Sequence, residues 1–183
     1  MDDLEWVHRQ VRDTLDFLRA RDTIHFDCHN LNILTDGRRV FLTDFGLVLD
    51  RSFDLGTDEK ALFAANRYYD YGLFLACLSL TLQRRYNALP PARRERLIRY
   101  CGMQEAVRDL HIRVALVEYR DALRQSGLFP LEANFQAALD RYYPIVRLIQ
   151  DFLITLARNR RKDTAYSQTR LRRLLKETGF VKT

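Results

Sequence analysis

A mainly α fold with a small β-hairpin near its front is what this 183-residue sequence predicts. Apolar residues recur at three- and four-residue steps over nearly all of the chain beyond residue 58, the period of helices with one buried face. Residues 24–43 break that period and turn at Asp36-Gly37, a strong two-residue hairpin signal. Composition is that of a soluble globular protein, 47% hydrophobic and 30% charged with seven Gly and four Pro. The length suffices for one domain with a real core, so residues 1–183 are read as a single domain.

Taken in order, residues 3–20 form the first helix. Leu4, Val7, Val11, Leu15 and Leu18 share one face, Asp2 or Asp3 caps the start, and Arg19 and Arg21 suit the negative end of the helix dipole. The acidic beginning, MDDLEW, has no apolar run behind it, so no signal peptide is expected. Residues 24–32 are a loop rich in Asp, Asn and His. Asn32–Thr35 and Arg38–Thr43 are the two hairpin strands, with Val40 and Leu42 on one face and Asp44 where the second strand ends. Residues 47–58 hold no sustained period and are read as irregular.

The helical remainder spans 58–178. Residues 58–85 contain the longest apolar run, Tyr71–Leu82. As a helix that run spans ~18 Å, short of a ~30 Å hydrocarbon core, so it is a buried helix and not a membrane span. Pro90-Pro91 opens a helix over 91–101. Residues 104–126 carry Val107, Leu110, Val114 and Val117 and end before Gly127. Residues 132–157 carry a stripe from Phe135 to Leu156, with Pro144 expected to kink or split the helix. A last helix, 167–178, stops at Gly179. No internal repeat is present.

Charge and cysteines narrow the setting. The net charge is +6, but residues 141–183 hold 11 Lys/Arg against 3 Asp/Glu. Arg158–Lys162 and Arg170–Lys176 could meet nucleic acid or another anion, and are read in preference as solvated helix faces. Cys28, Cys77 and Cys101 are odd in number and widely spaced, which suits a reducing cytoplasm rather than a disulfide framework.

The chemistry is concentrated in His25–Gly46, HFDCHNLNILTDGRRVFLTDFG. Asn32 and Asp44 stand at the two ends of the hairpin, which strand pairing brings together. Both offer oxygen, the ligand Mg²⁺ prefers, and Mg²⁺ takes only one or two ligands from protein when phosphate supplies others. Asp27, five residues before Asn32, can face a hydroxyl as a base. Phosphoryl transfer needs little more than charge neutralisation and an oriented acceptor. Ordinary turn residues and an end-of-strand cap are the bland alternative for Asp27, Asn30, Asn32 and Asp44. Zinc held by His25, Cys28 and His29 is another, but the loop lacks a fourth ligand unless Asp27 or Asp44 is borrowed.

His25-x-Asp27-x-His29-x-x-Asn32 followed by Asp44-Phe45-Gly46 resembles the catalytic and metal-binding loops of the protein-kinase-like superfamily, in its aminoglycoside-phosphotransferase and choline-kinase branch. The resemblance implies a kinase-like C-lobe using ATP and Mg²⁺ to phosphorylate a hydroxyl on a small molecule or a protein. It implies Asp27 as catalytic base, and Asn32 and Asp44 as metal ligands that hold the nucleotide's phosphates. His29 stands at the catalytic-loop position where typical protein kinases have Lys. His25, Phe45 and Gly46 would brace the loops, and Asp70 in RYYDYGLFL would hold the catalytic-loop backbone. The motif likeness covers residues 1–85.

The chain has no G-x-G-x-x-G, its first lysine is Lys60, and about 24 residues precede the catalytic loop. The upper lobe of a complete kinase is therefore not expected within it. A partner chain or a second copy would cover the open upper face, and a non-catalytic interaction module built from the same lobe is the alternative function. The short interval from Asp44 to Asp70, without A-P-E, favours a small acceptor. Glu105, Asp109, Glu118 and Asp121 are candidates to line a pocket for a cationic one.

Overall fold

Leucine and valine at helical spacing bury one face of α1 (Asp3–Ala20), where Val11 and Leu15 are almost wholly enclosed. Asp3 and Glu5 lie in its first turn and Arg19 in its last, both matched to the helix dipole. The computed structural model describes residues 3–103, 109–159 and 165–181. They are mainly helical, with two small two-stranded sheets.

After α1 the chain reverses at Asp22, whose φ of 53° is tolerated because Asp enters the left-handed region more readily than most residues. The Asp22 carboxylate pairs with Arg51 at 3.2 Å and Arg67 at 2.7 Å. Strand β1 (Thr23–Ile24) then leads into the loop of residues 25–32. Strands β2 (Ile33–Thr35) and β3 (Val40–Leu42) form the hairpin, in antiparallel register Ile33↔Leu42, Leu34↔Phe41 and Thr35↔Val40. At its turn Gly37 takes φ 81°, and the Asp36 carboxylate accepts the backbone N–H groups of Arg38 and Arg39 at 2.8 and 2.7 Å. Those bonds hold the Asp36 carboxyl below the usual carboxylate range.

Residues 47–58 are not irregular throughout. A short 3₁₀ turn covers Phe45–Leu47, β4 (Leu49–Asp50) pairs antiparallel with β1, and α2 (Thr57–Asn66) begins before the stretch ends. Two-residue strands carry no readable alternation; β4 exists because Thr23 and Ile24 offer it a partner, and Thr23 Oγ1 donates to Asp50 Oδ2 at 2.5 Å.

The helix expected over 58–85 is two. The chain breaks at Arg67–Tyr68, and α3 (Tyr69–Asn87) starts afresh. No Gly or Pro marks the break. Its consequence is that Asp70 sits in the first turn of a helix and not in the middle of one. Helix α4 (Pro91–Cys101) matches its expected range, with Pro at the first position and Gly102 left-handed at the end.

Within 104–126, residues 104–108, including Glu105 and Val107, lie outside the described residues. The rest forms α5 (Asp109–Glu118) and α6 (Arg120–Gln125), interrupted at Tyr119. Helix α7 (Ala133–Asn159) runs through Pro144 without being split. Leu139, Tyr142, Ile145, Val146 and Ile149 are buried on both sides of the proline, and their burial outweighs one missing backbone hydrogen bond. Helix α8 (Gln168–Glu177) is capped by Ser167, which accepts the Arg170 N–H at 3.2 Å, and is followed after Thr178 by Gly179 with φ 67°.

The described residues of Met1–Leu75 and Tyr166–Thr183 form one compact unit, and those of Ala76–Ala165 another. In the first, α8 closes the core through Leu171, Leu174 and Leu175, and the Phe180 ring meets the edges of His8 and Tyr71. In the second, Leu97, Leu116, Leu123 and Ile149 are fully buried. There Glu118 pairs with Arg147 at 2.8 Å and Asp121 pairs with Arg124, so neither stands as a bare acidic group. Among the described residues no helix is long and apolar enough to cross a membrane.

Candidate functional site

The site is assembled within the first unit from two loops, residues 25–32 and 43–46. Asp70 anchors the first. Its carboxylate accepts the backbone N–H of His25 at 2.8 Å and of Phe26 at 2.9 Å. Two successive N–H groups converge on one carboxylate because Phe26 adopts φ 64°, an uncommon conformation for a bulky residue. Burial pushes the Asp70 carboxyl up to about 6 even with both bonds made.

His25 ties the loops together and is fully buried. Its Nδ1 accepts the Asp27 N–H at 3.3 Å, so the ring proton is on Nε2, which donates to the Thr43 carbonyl at 3.0 Å. Burial lowers the imidazole's pKa and so keeps it neutral. Its ring stands edge-on to Phe45, with centroids 4.8 Å apart.

Asn32 makes the second link. Its carbonyl accepts the Thr43 N–H at 2.9 Å and the Thr43 hydroxyl at 3.1 Å. Its side-chain Nδ2 donates to the Asp27 carbonyl at 3.0 Å and to Asp27 Oδ2 at 2.9 Å. Both neighbours are acceptors, which fixes the amide orientation and assigns Oδ1 to the side away from them. Asp27 Oδ1 lies 3.3 Å from His29 Nε2, and the Asp27 side chain keeps 29% of its surface exposed. Among the described residues neither Asp27 nor Asp44 is paired with Lys or Arg.

Asp44 follows Thr43 directly. It is left-handed, φ 58° and ψ 73°, exposed, and caps the 3₁₀ turn by accepting the Gly46 N–H at 3.3 Å. A Cβ on Gly46 would lie 3.2 Å from Asp44 Oδ1, so glycine leaves the carboxylate room.

All eight sequence-predicted site residues thus fall in one unit, and hydrogen bonds join Asp27, His29, Asn32, His25 and Asp70 into one network. Asp44 enters it through the peptide link to Thr43. Thr43 was not foreseen: three of its polar atoms hold the loops together, and a lone Thr at a strand end carries no distinguishing signal. Among the described residues the buried Oδ1 of Asn30 finds no hydrogen-bond partner.

The donor set can be tested against the two metals considered. Among the described residues no three His, Cys, Asp or Glu side chains group as a metal site. Both His25 nitrogens are occupied by backbone groups and Cys28 is buried, so the zinc set is not assembled. Asn32 Oδ1 and the Asp44 carboxylate are hard oxygen donors on adjoining segments and fit a Mg²⁺ that takes its other ligands from water and phosphate.

No family model, curated protein or solved structure matches this chain. A functional reading therefore rests on the site itself.

The same stretch is unusually apolar on its outer side. Leu31, Leu34, Phe41, Phe45 and Leu47 are all exposed, and Leu34 and Phe41 are direct cross-strand partners.

Proposed function

We propose that this chain is a kinase-like phosphotransferase lobe that moves the γ-phosphoryl group of ATP to a hydroxyl acceptor, with Mg²⁺. The observation that carries the reading is Asn32's double attachment. Its side chain orients the Asp27 carboxylate while its carbonyl fixes the strand that delivers Asp44. One residue thereby sets the spacing between a base and a cation ligand, which is what phosphoryl transfer asks of protein.

In this reading Asp27 takes the proton of the acceptor hydroxyl as that oxygen attacks phosphorus. Asn32 Oδ1 and Asp44 would hold the cation, which when bound neutralises charge on the phosphate oxygens. His25 and Asp70 keep the loop from moving while the proton transfers. The absence of a G-x-G-x-x-G loop leads us to expect weak nucleotide affinity for this polypeptide alone.

The test is nucleotide binding with and without Mg²⁺, followed by transfer of labelled phosphate to a panel of hydroxyl compounds and proteins. Asp27→Ala should lower transfer by about 10²–10⁴-fold while nucleotide still binds. Asp44→Ala should remove the Mg²⁺ dependence. Transfer that is indifferent to both substitutions would remove the proposal.

The exposed apolar stretch favours one second reading, a kinase-derived interaction module. It expects cellular function to survive both substitutions and to fail when Leu34 and Phe41 are made polar.

A further inference from the structure

The break at Arg67–Tyr68, which no Gly or Pro marks, is bridged from outside by the C-terminal segment. Gln168 Nε2 donates to the Ala64 carbonyl at 2.9 Å, on the α2 side of the break. The Arg172 guanidinium lies over the Tyr68 ring, 5.7 Å from its centroid. On the α3 side the Tyr166 ring packs against Tyr69, with centroids 5.9 Å apart. Residues of one short segment thus meet the chain before, at and after the break. The segment is itself fixed, because Leu171, Leu174 and Leu175 of α8 are buried in the same unit.

What they hold bears on the loop of residues 25–32. Phe26 has φ 64°, which a bulky residue keeps only when its surroundings impose it. Two adjacent residues impose it here. The Asp70 carboxylate accepts the Phe26 N–H at 2.9 Å, and the Tyr69 ring packs on the Phe26 ring with centroids 5.9 Å apart. Both ring pairs lie within the range of favourable aromatic contacts. The series Phe26–Tyr69–Tyr166 therefore runs from the residue before Asp27 to the segment before α8. Tyr166 also lies close to Asp70. Its hydroxyl is buried, and burial, with Tyr69 and the charge of Asp70 nearby, pushes its phenol up.

We propose that Tyr166 is a positioning residue, backing Tyr69 so that Phe26 stays left-handed and Asp27 keeps its aim. Its place in catalysis rests on the phosphotransferase reading above. The C-terminal segment then belongs to the site, although none of its own residues carries the chemistry of phosphoryl transfer. The role is that of the ring, so Tyr166→Phe keeps it and Tyr166→Leu loses it.

The experiment is amide hydrogen exchange of the full chain, read residue by residue by NMR, which needs no activity. In Tyr166→Leu the His25 and Phe26 N–H groups, both held by Asp70, should exchange at least about 10-fold faster relative to Leu174 and Leu175 of α8. Tyr166→Phe should leave them as in wild type. Phe180→Leu is the control: its ring meets Tyr71 and Phe74, so its loss should speed all four amides alike. A rise in Tyr166→Leu that is uniform across the unit, or none at His25 and Phe26, would overturn the inference. Should Tyr166→Leu not fold, wild type in low urea decides. His25 and Phe26 should open in the same urea-dependent step as α8, and an independent opening would count against the inference. Where phosphate transfer is measurable, Tyr166→Leu should lower kcat by about 10–100-fold with the nucleotide KM unchanged, and Tyr166→Phe should restore it. Selective loosening in a chain that neither binds nucleotide nor transfers phosphate would support the hold on the loop and sink the phosphotransferase reading instead.

Discussion

The Asp70 carboxylate accepts the backbone N–H of His25 at 2.8 Å across 45 residues of sequence, and this bond sets the conformation of the loop that carries Asp27. Its energetics are readable through pH. The folded pKa of about 6 lies above the ordinary 3.8, so the folded state retains a proton that the unfolded state has lost between those values. Asp70's favourable contribution is full below pH 3.8 and falls away as pH rises through 6. The span is up to roughly 3 kcal/mol, at ~1.4 kcal/mol per pK unit. His25 runs the other way. Its lowered pKa gives a contribution present above pH 6.5 and lost on acidification.

Asp70→Asn isolates the first effect. At neutral pH it should cost about 1–3 kcal/mol, because the new amide N–H faces a backbone N–H. Urea unfolding of both proteins between pH 4 and 7.5 should show wild type gaining on the variant as pH falls. A gap that stays constant with pH would mean that Asp70 ionises like an exposed carboxylate.

Gly46→Ala places a methyl group 3.2 Å from Asp44 Oδ1. The backbone there is not left-handed, so stability should change by less than about 1 kcal/mol. The carboxylate must shift by a few tenths of an ångström. We expect Mg²⁺-dependent nucleotide binding, read by calorimetry, to weaken several-fold while the melting temperature hardly moves. Equal losses in both would point to a structural role for the glycine.

Pro144→Ala should stabilise the chain. The proline stands inside the continuous α7 and denies a hydrogen bond to the carbonyl of Asp140. Alanine restores the donor and removes a ring that crowds the preceding turn, for a gain of about 1–3 kcal/mol. A rise in the urea midpoint is the check. A fall would show that the ring's own packing matters more than the missing bond.

Much of the candidate site was legible because its parts are local. Asp36-Gly37 names the turn, so Asn32 and Asp44 must come back together at the open end of the hairpin, whatever surrounds them. Asp27 lies five residues before Asn32, close enough for the amide of one to reach the carboxylate of the other. The zinc alternative failed for a reason the residue types could not supply: both His25 nitrogens are taken by backbone groups of Asp27 and Thr43.

The helices show the same division. Ranges 3–20, 91–101 and 167–178 were readable because capping residues and apolar periods agree there. The break at Arg67–Tyr68 was not, since neither residue is a breaker. Nor was the continuity of α7, because a proline's local penalty says nothing of the burial on either side of it.

By itself, then, the sequence determined which elements are helical, where the hairpin turns, and that Asp27, Asn32 and Asp44 share one short region. Periodicity, turn chemistry and spacing act over a few residues and need no partner. Only the tertiary structure decided that β4 pairs with β1, that Asp70 holds the N–H groups of His25 and Phe26, and that Thr43 joins the two loops. Each of these depends on a hydrogen bond whose direction is set by φ and ψ values and by distant chain segments. Residue types along a line do not encode that direction; the folded backbone does.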